Sequence, residues 1–359
     1  MVPLTKNFQV ASPLHPKARE ILLDAMDQGW ADPRKLSQAS AKARNLRARA
    51  LESLAENLGH HPDRLAIVGE SALANYFALA GIARGTSTFI HSAIDRKEVF
   101  AFASTCKAPV EQPVDRLGHI QFPTPPIDTP ETLVALQGAN IETGTIQPLE
   151  KILTVLTRAK IALDFTSSPT LPLPSRWSTV AYNAHSWQGP EGIGLIAIAQ
   201  PQLWTNPLPH LGPERVPESF SLPLLLAAAV ALEHWIVEEK QEHERIRQLS
   251  KLLRQSLSTR IKDCDIAGDP DSSLPHISSI SFLYVHGEEI LRQLELQGFS
   301  VDSGSACSAD NLQPSHVLAA MGVLTHGNIR VTLHHGVQEK DLLGLVEAIT
   351  TAVSTLRLQ

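Results

Sequence analysis

The chain has 359 residues, of which 43% are hydrophobic and 19% are charged, so it carries enough apolar material for a large buried core. Its formal net charge is −6, without a basic arm or a run of like charges, which argues against direct binding to nucleic acid. We expect no membrane segment and no secretory signal, because no stretch is long and apolar enough and the first ten residues lack the signal pattern.

Three cysteines occur in the chain, Cys106, Cys264 and Cys307, and none belongs to a C-x-x-C pair. An odd number of cysteines outside metal-ligand spacing predicts neither a disulfide framework nor a structural zinc site. The cysteine usage therefore indicates a cytoplasmic protein without a metal site.

The first half of the chain alternates between helical and extended patterns. Apolar residues recur at three- and four-residue spacing over 16–26 and 36–58, which is typical of amphipathic helices. Helical stretches then separate short apolar runs, which lie at 64–68, 86–91, 132–137 and 160–165. This alternation predicts an α/β fold, with a mainly parallel sheet between two layers of helices.

The second half begins with a long helical pattern over 222–261 and then changes to shorter patterns of strand, helix and loop. It continues with a strand pattern at 277–282, a helix at 288–297, a loop around Cys307 and a strand at 328–333. We therefore expect a smaller C-terminal α+β domain beside the large one. The predicted large domain spans 15–235, and the small domain comprises 1–14 and 236–359 and carries the Cys307 loop.

Cys307 is the first candidate for chemistry. It lies in V-D-S-G-S-A-C-S-A-D-N-L-Q-P-S, where its neighbours are small or polar and offer little aliphatic surface to bury it. A thiol reacts as its thiolate and needs access, which such a loop provides. The alternative is a surface cysteine without a role.

The segments D-S-G-S-A-C-S, L-Q-P-S-H-V-L-A-A-M-G and N-I-R-V-T-L resemble the persulfide loop region of the cysteine desulfurases, in the subgroup with the longer loop. Upstream, A-N-I-E-T-G-T-I-Q-P-L, A-L-D-F-T-S-S and Q-G-P-E-G-I-G-L-I-A follow the order of the same family. The resemblance implies a fold-type I homodimer that uses pyridoxal phosphate. It also implies a cysteine that takes sulfur from substrate cysteine and holds it as a persulfide.

Several positions match the family's site. By resemblance, Asp164 is the carboxylate that pairs with the pyridine nitrogen of the cofactor. Arg330 is the arginine that binds the substrate carboxylate, and Asn140 is a further substrate contact. Gln147 matches a polar cofactor position in the same stretch as Asn140.

Other positions depart from the family's pattern. In Y-N-A-H-S-W-Q-G-P, Ser186 follows His185 at the place of the lysine that binds the cofactor, and a hydroxyl forms no imine. Ser71 lies in the phosphate-binding turn beside Glu70, whose charge opposes a phosphate, and Arg96 replaces the stacking histidine. We expect no covalent cofactor, only weak noncovalent binding at most. The remnant cofactor site consists of Asp164, His185, Ser186, Gln147 and Ser71.

Structural roles remain open for some of these residues. Asp164 is equally explained as a buried hydrogen-bond acceptor, and Arg330 as half of a salt bridge. His185 without its lysine is better explained as structural.

Three functions remain open at this stage. The chain is a persulfide carrier through Cys307, a non-catalytic scaffold or regulator of sulfur transfer, or an active desulfurase or aminotransferase. Its expected partners are a second copy of the chain and either a sulfur-acceptor protein or an active desulfurase.

Overall fold

The computed structural model describes residues 4–9, 13–209, 221–303 and 314–358, with the backbone alone at residue 71. In these ranges the strands are β1 (Asn7–Phe8), β2 (Leu65–Val68), β3 (Thr88–Ser92), β4 (Pro109–Gln112), β5 (Thr132–Gln137), β6 (Lys160–Asp164), β7 (Thr179–Asn183), β8 (Gly194–Ile198), β9 (Cys264–Ala267), β10 (Ile277–Phe282), β11 (Ser300–Val301) and β12 (Asn328–Thr332). The helices are α1 (Pro16–Gln28), α2 (Gln38–Asn57), α3 (Ser71–Ala80), α4 (Lys97–Ser104), α5 (Leu149–Leu153), α6 (Leu222–Arg260), α7 (Gly287–Leu296), α8 (His316–Met321) and α9 (Glu339–Leu356).

A seven-stranded sheet forms the larger part of the molecule, in the order β2-β8-β7-β6-β5-β3-β4. Strands β7, β6, β5, β3 and β4 pair in parallel, whereas β8 runs antiparallel to both β2 and β7. Every residue of β3, β5 and β8 is buried, as expected for strands covered on both faces. The predicted α/β fold with a mainly parallel sheet is confirmed.

The two faces of this sheet pack against different helices. Val134 and Leu136 of β5 join the apolar cluster that includes residues of α2, α5 and α6. Leu133 and Ala135, which alternate with them, join the cluster on the α3 and α4 side. This period of two places each face of one strand in a separate core.

The long helix α6 belongs to both parts of the structure. Its first half packs against α1 and α2 through buried residues such as Ala227 and Ala231. Its second half packs against α9 and the antiparallel sheet β12-β10-β9, where Leu253 and Leu257 join a separate apolar cluster. No helix in the described ranges is long and apolar enough to cross a membrane.

Some elements differ from the sequence-based expectations. The helical stretch expected between the apolar runs 132–137 and 160–165 is only the five-residue α5, because Asp128 accepts the backbone N–H groups of residues 157, 158 and 159 at 2.8 to 2.9 Å. These amides are therefore lost to the helix. Strands β4, β7, β8 and β9 and helix α4 were not predicted, since their short patterns lie beside proline-rich or irregular stretches.

His60 provides a test of the packing of α2 against the sheet. Its Nε2 lies 2.8 Å from the hydroxyl of Tyr182 on β7, and burial lowers the pKa of His60 to about 4. The unfolded chain therefore binds more protons at this residue, so its contribution to stability is complete above about pH 6.5 and is lost as the pH falls toward 4. The variant His60→Gln cannot be protonated at this position. When the pH is lowered from about 7.5 to about 5, we expect its free energy of unfolding to rise by about 1 to 2 kcal/mol relative to that of the native protein.

The comparison with His60→Gln is necessary because buried acids act in the opposite direction. Burial raises the pKa of Asp95 to about 7 and that of Glu142 to about 6, and both stabilise the fold as they gain protons. These contributions cancel between the two proteins when urea unfolding is measured at both pH values. A stability difference that does not change with pH would contradict a neutral buried His60.

Candidate functional site

The candidate site lies at the carboxyl ends of the parallel strands, the usual binding edge of such sheets. Asp164 is the last residue of β6 and Asn183 the last residue of β7. The segment after β3 carries Asp95 and Arg96, and the segment after β5 carries Asn140. Strand pairing thus brings four separate segments to one edge.

Asp164 is held by an ion pair with Arg96. Its Oδ2 accepts a hydrogen bond from Arg96 Nε at 2.7 Å and lies 3.4 Å from the Asn75 side-chain amide. Its Oδ1 accepts from the backbone N–H of Thr166 at 2.9 Å and from the Thr166 hydroxyl at 2.5 Å. Both carboxylate oxygens therefore have partners within the chain.

A second carboxyl group, that of Asp95, lies deeper beside this pair. Its Oδ2 accepts from the backbone N–H of Ser92 at 2.7 Å, and its Oδ1 accepts from the Gln137 amide at 3.2 Å. Burial, with a smaller contribution from the nearby charge of Asp164, raises the pKa of Asp95 to about 7. Asp95 therefore takes up a proton near neutral pH, whereas Arg96 compensates the charge of Asp164.

Ser186 is fixed in a short turn of 3₁₀ helix after β7, formed by 184–187. Its Oγ donates a hydrogen bond to the carbonyl of Asn183 at 2.7 Å. The following Trp187 is fully buried, with its indole N–H donating to the carbonyl of Ala228 at 3.0 Å. Gln188 closes the turn with φ of 60°, and Ser186 lines the neighbouring cleft.

The cleft itself has a volume of about 90 Å³. Its lining combines polar groups of the large sheet edge with residues of β10 and β12: Arg96, Ile141, Thr166, Ser167, Asn183, His185, Ser186, His276, Ile277 and Thr332. The Thr332 hydroxyl is buried and has no hydrogen-bond partner among the described residues. The cleft is small beside the few hundred Å³ of most ligand pockets, so it holds a small polar group at most in this state.

Arg330 lies on β12, paired with an internal carboxylate. Its Nη2 donates to Asp302 Oδ2 at 2.9 Å, and its Nε is buried with no partner within the described ranges. Glu142 lies nearby, and burial raises its pKa to about 6 against the opposing effects of Ser315 and Arg330. The guanidinium predicted to bind a substrate carboxylate is thus partly engaged by Asp302.

Asn140 and Gln147 bond to the protein backbone. Asn140 Oδ1 accepts from the N–H groups of Glu142 and Thr143 at 3.0 Å, and its amide donates to the Ile94 carbonyl. Gln147 accepts from the N–H of residue 120 at 3.0 Å and donates to the carbonyl of residue 118 at 2.7 Å. In this state both amides organise the loops behind the site.

The structure brings some of the predicted residues together and leaves others apart. Asp164 pairs with the cleft-lining Arg96, and His185 and Ser186 line the same cleft. Arg330, Asn140 and Gln147 are not among the residues that line it. Cys307 and the side chain of Ser71 lie outside the described residues.

Sequence reasoning missed several contributors to the cleft, among them Thr166, Ser167 and His276. Thr166 and Ser167 directly follow Asp164 in A-L-D-F-T-S-S, and their hydroxyls after a buried strand were an available signal. His276 enters from the other side of the cleft, where burial lowers its pKa to about 4. Nothing in the local pattern of L-P-H-I-S marked that histidine.

Comparisons with known proteins agree with this architecture. The family Aminotransferase class-V matches residues 110–345. The cysteine desulfurase IscS of Dictyoglomus turgidum is 27% identical over 98% of this chain and 94% of its own length. Human cysteine desulfurase is 26% identical over 99% of this chain and 82% of its own length.

Solved structures show the same fold. A NifS-like protein superposes with a TM-score of 0.86 at 21% identity, covering 98% of this chain and 100% of its own. The apo cysteine desulfurase of Thermococcus onnurineus NA1 gives a TM-score of 0.82 at 15% identity, covering 99% of this chain and 96% of its own.

The expectation that this protein uses no cofactor is wrong in the light of these relatives. Cysteine desulfurases homologous to the chain depend on pyridoxal phosphate, which is the cofactor of the family. The described residues do not fit its usual attachment, because Ser186 offers no amine and Arg96 occupies the carboxylate that would meet the ring nitrogen.

The matched family covers about two thirds of the chain, and homology to the cysteine desulfurases extends over nearly all of it. The sheet order, the site at the carboxyl edge of the strands and the retained Asp164 are consistent with this relationship. The chain therefore belongs to the aminotransferase class-V family, as a homologue of the cysteine desulfurases.

Proposed function

We propose that this protein transfers sulfur as a persulfide on Cys307, having given up the covalent lysine chemistry of its relatives. The proposal is based on the residue at position 186. A serine hydroxyl stands there, bonded to the carbonyl of Asn183, where cleavage of a carbon–sulfur bond would need an amine. The sulfur must then come from a donor that already holds it in the persulfide form.

The transfer step needs no oxidant or reductant. The Cys307 thiolate attacks the outer sulfur of a donor persulfide, the sulfur–sulfur bond of the donor breaks, and the donor leaves as a thiolate. Cys307 then holds the added sulfur until an acceptor thiolate attacks it and Cys307 leaves as a thiolate in turn. We expect the acceptor to be a protein thiol, and the reaction to take place in the reducing cytoplasm.

The Arg96–Asp164 pair supports the same proposal independently of Ser186. Asp164 is satisfied by the guanidinium at 2.7 Å and by both donors of Thr166. A cofactor ring would have to displace Arg96 to reach this carboxylate, leaving a cation without its partner. The serine at position 186 and the pairing of Arg96 with Asp164 thus both act against cofactor-dependent cleavage of a carbon–sulfur bond.

The second candidate is an active cysteine desulfurase, which the homology over 98% of the chain favours. A scaffold without thiol chemistry is the third possibility. Sulfur labelling and turnover measurements distinguish the carrier, the active desulfurase and the scaffold from one another.

Labelling of the cysteines tests the proposed carrier. After incubation with a small-molecule persulfide, mass spectrometry should find added sulfur on Cys307 in preference to Cys106 and Cys264. Burial raises the pKa of Cys264 to about 11 and also raises that of Cys106, so both hold little thiolate at neutral pH.

The matched controls are Cys106→Ser and Cys264→Ser, which should transfer sulfur to an acceptor thiol as the native protein does. Cys307→Ser should abolish transfer. Equal labelling of all three thiols, or full transfer by Cys307→Ser, would favour the scaffold.

Turnover of L-cysteine tests the lost lysine chemistry. With pyridoxal phosphate supplied, the native protein should release no sulfide above background. Ser186→Lys alone should not restore release, because Arg96 still occupies Asp164. The double variant Ser186→Lys with Arg96→His should gain an absorbance band for a lysine-bound cofactor that the single variant lacks.

Sulfide release by the native protein would establish the active desulfurase instead. A cofactor band in Ser186→Lys alone would show that the Arg96–Asp164 pair is no obstacle.

We also propose that two copies of the chain form a symmetric dimer. Apolar side chains are exposed at the corner between α1 and α2, where Met26 is 57%, Trp30 49% and Leu36 100% exposed. Large apolar groups exposed together are typical of surfaces that bind another protein.

Light scattering at micromolar concentration should give twice the chain mass of 39.1 kDa. Trp30→Glu, which places a charge in this patch, should shift the equilibrium toward monomer. Glu52→Lys, on α2, serves as a charge-changing control. A native monomer would contradict the proposal.

A further inference from the structure

Three potential metal ligands meet where the start of α1 contacts the middle of α6. His15 precedes α1, and His234 and Glu238 lie four residues apart on one face of α6. Their ligand atoms all lie within 4.8 Å of one another. None of the three lines the candidate active cleft.

His15 is the fixed member of this group. It is 7% exposed, its backbone N–H donates to the carbonyl of Gln188 at 2.9 Å, and its Nδ1 accepts the N–H of Lys17 at 3.2 Å as the cap of α1. The other ring nitrogen, Nε2, lies 3.6 Å from Glu238 Oε2. His15 therefore presents Nε2 toward the α6 pair.

The α6 members can adjust their positions. The ring of His234 lies 4.8 Å from that of His15, with 15° between the planes, and the Glu238 side chain is 55% exposed. Metal–ligand bonds of about 2.0 to 2.1 Å in a tetrahedron require ligand atoms about 3.4 Å apart, so the His234 and Glu238 side chains would have to rotate toward His15 when an ion binds. The exposed carboxylate leaves an entry path from solvent.

We propose that His15, His234 and Glu238 form a binding site for a divalent first-row transition metal, with zinc the best match. Two imidazoles and one carboxylate are a known three-ligand zinc set, in which water takes the fourth position. The ion would fasten the segment before α1 to α6.

Binding of an ion would change the hydrogen bonding of His15. Binding of the ion at Nε2 would place the proton of the neutral ring on Nδ1, so the Lys17 N–H at the exposed first turn of α1 would lose this acceptor and bond to water instead. The nearby ammonium of Lys17 is paired with Glu20 at 3.0 Å and does not have to approach the ion.

A further imidazole, that of His335, lies near His15. Its Nδ1 atom is buried without a hydrogen-bond partner among the described residues.

Sequence spacing did not reveal the site, since His15 lies far from the α6 pair along the chain. The expectation of no metal site was drawn from the spacing of the cysteines, which gives no information on histidines and glutamates that folding brings together. The contact between α1 and α6 is what joins the ligands.

Calorimetric titration of zinc chloride into the full chain without a histidine tag tests the proposal. It should be made in a Cys307→Ser background to remove that thiol as a ligand. The expected result is one ion per chain, with the affinity reduced more than about tenfold in both His234→Ala and Glu238→Gln. Zinc should raise the melting temperature of the parent protein but not that of Glu238→Gln.

The matched control is His243→Ala, since His243 and Glu239 form another histidine–glutamate pair on α6, 3.6 Å apart. Its zinc affinity should equal that of the parent protein. Absence of zinc binding in the parent, or equal binding in the parent, His234→Ala and Glu238→Gln, would overturn the site. Circular dichroism of both variants separates ligand loss from unfolding.

Discussion

The contact between Arg96 and Asp164 determines what the site at the sheet edge can do. Asp164 ends a buried strand, so its carboxylate needs compensation from some neighbour. Here the guanidinium of Arg96 supplies it at 2.7 Å, and the two donors of Thr166 satisfy the other oxygen. In this state the charge of Asp164 is compensated within the chain.

The same contact explains how two carboxyl groups share one small region. Asp95 and Asp164 repel each other when both are charged, and Arg96 is the cation beside them. The pKa of Asp95 is raised to about 7, mainly by burial, so this group gains a proton at a much higher pH than an exposed aspartate does. The pair of acids and the arginine therefore stay near electrical neutrality without an added ligand.

The sequence was sufficient to predict the parallel sheet, because strands covered on both faces appear as short continuous apolar runs. Thr132–Gln137 was predicted to the residue for this reason. The strands β7 and β8 were missed, since T-V-A-Y-N and G-L-I-A-I lie around a turn whose residues suggested a site rather than a sheet.

For the site, the sequence indicated which residues take part but not which hydrogen bonds they form. The motif around Ser186 indicated the missing amine, but nothing in the sequence indicated that Arg96 reaches Asp164 across 68 positions of chain. Likewise, Asn140 and Gln147 matched family positions, while the partners of their amides depend on the folding of loops around 94 and 118–120. Long-range polar contacts are set by tertiary structure, which local patterns do not contain.

Arg330, like Arg96, is paired with a carboxylate of the chain itself. Asp302 and Arg330 are joined both by their side chains and by a pair of backbone hydrogen bonds at 2.7 and 3.1 Å. Asp302 lies a few residues before Cys307 in the sequence. Its negative charge is compensated by the ion pair with Arg330. A carboxylate ligand that bound Arg330 would therefore have to compete with Asp302 for the guanidinium.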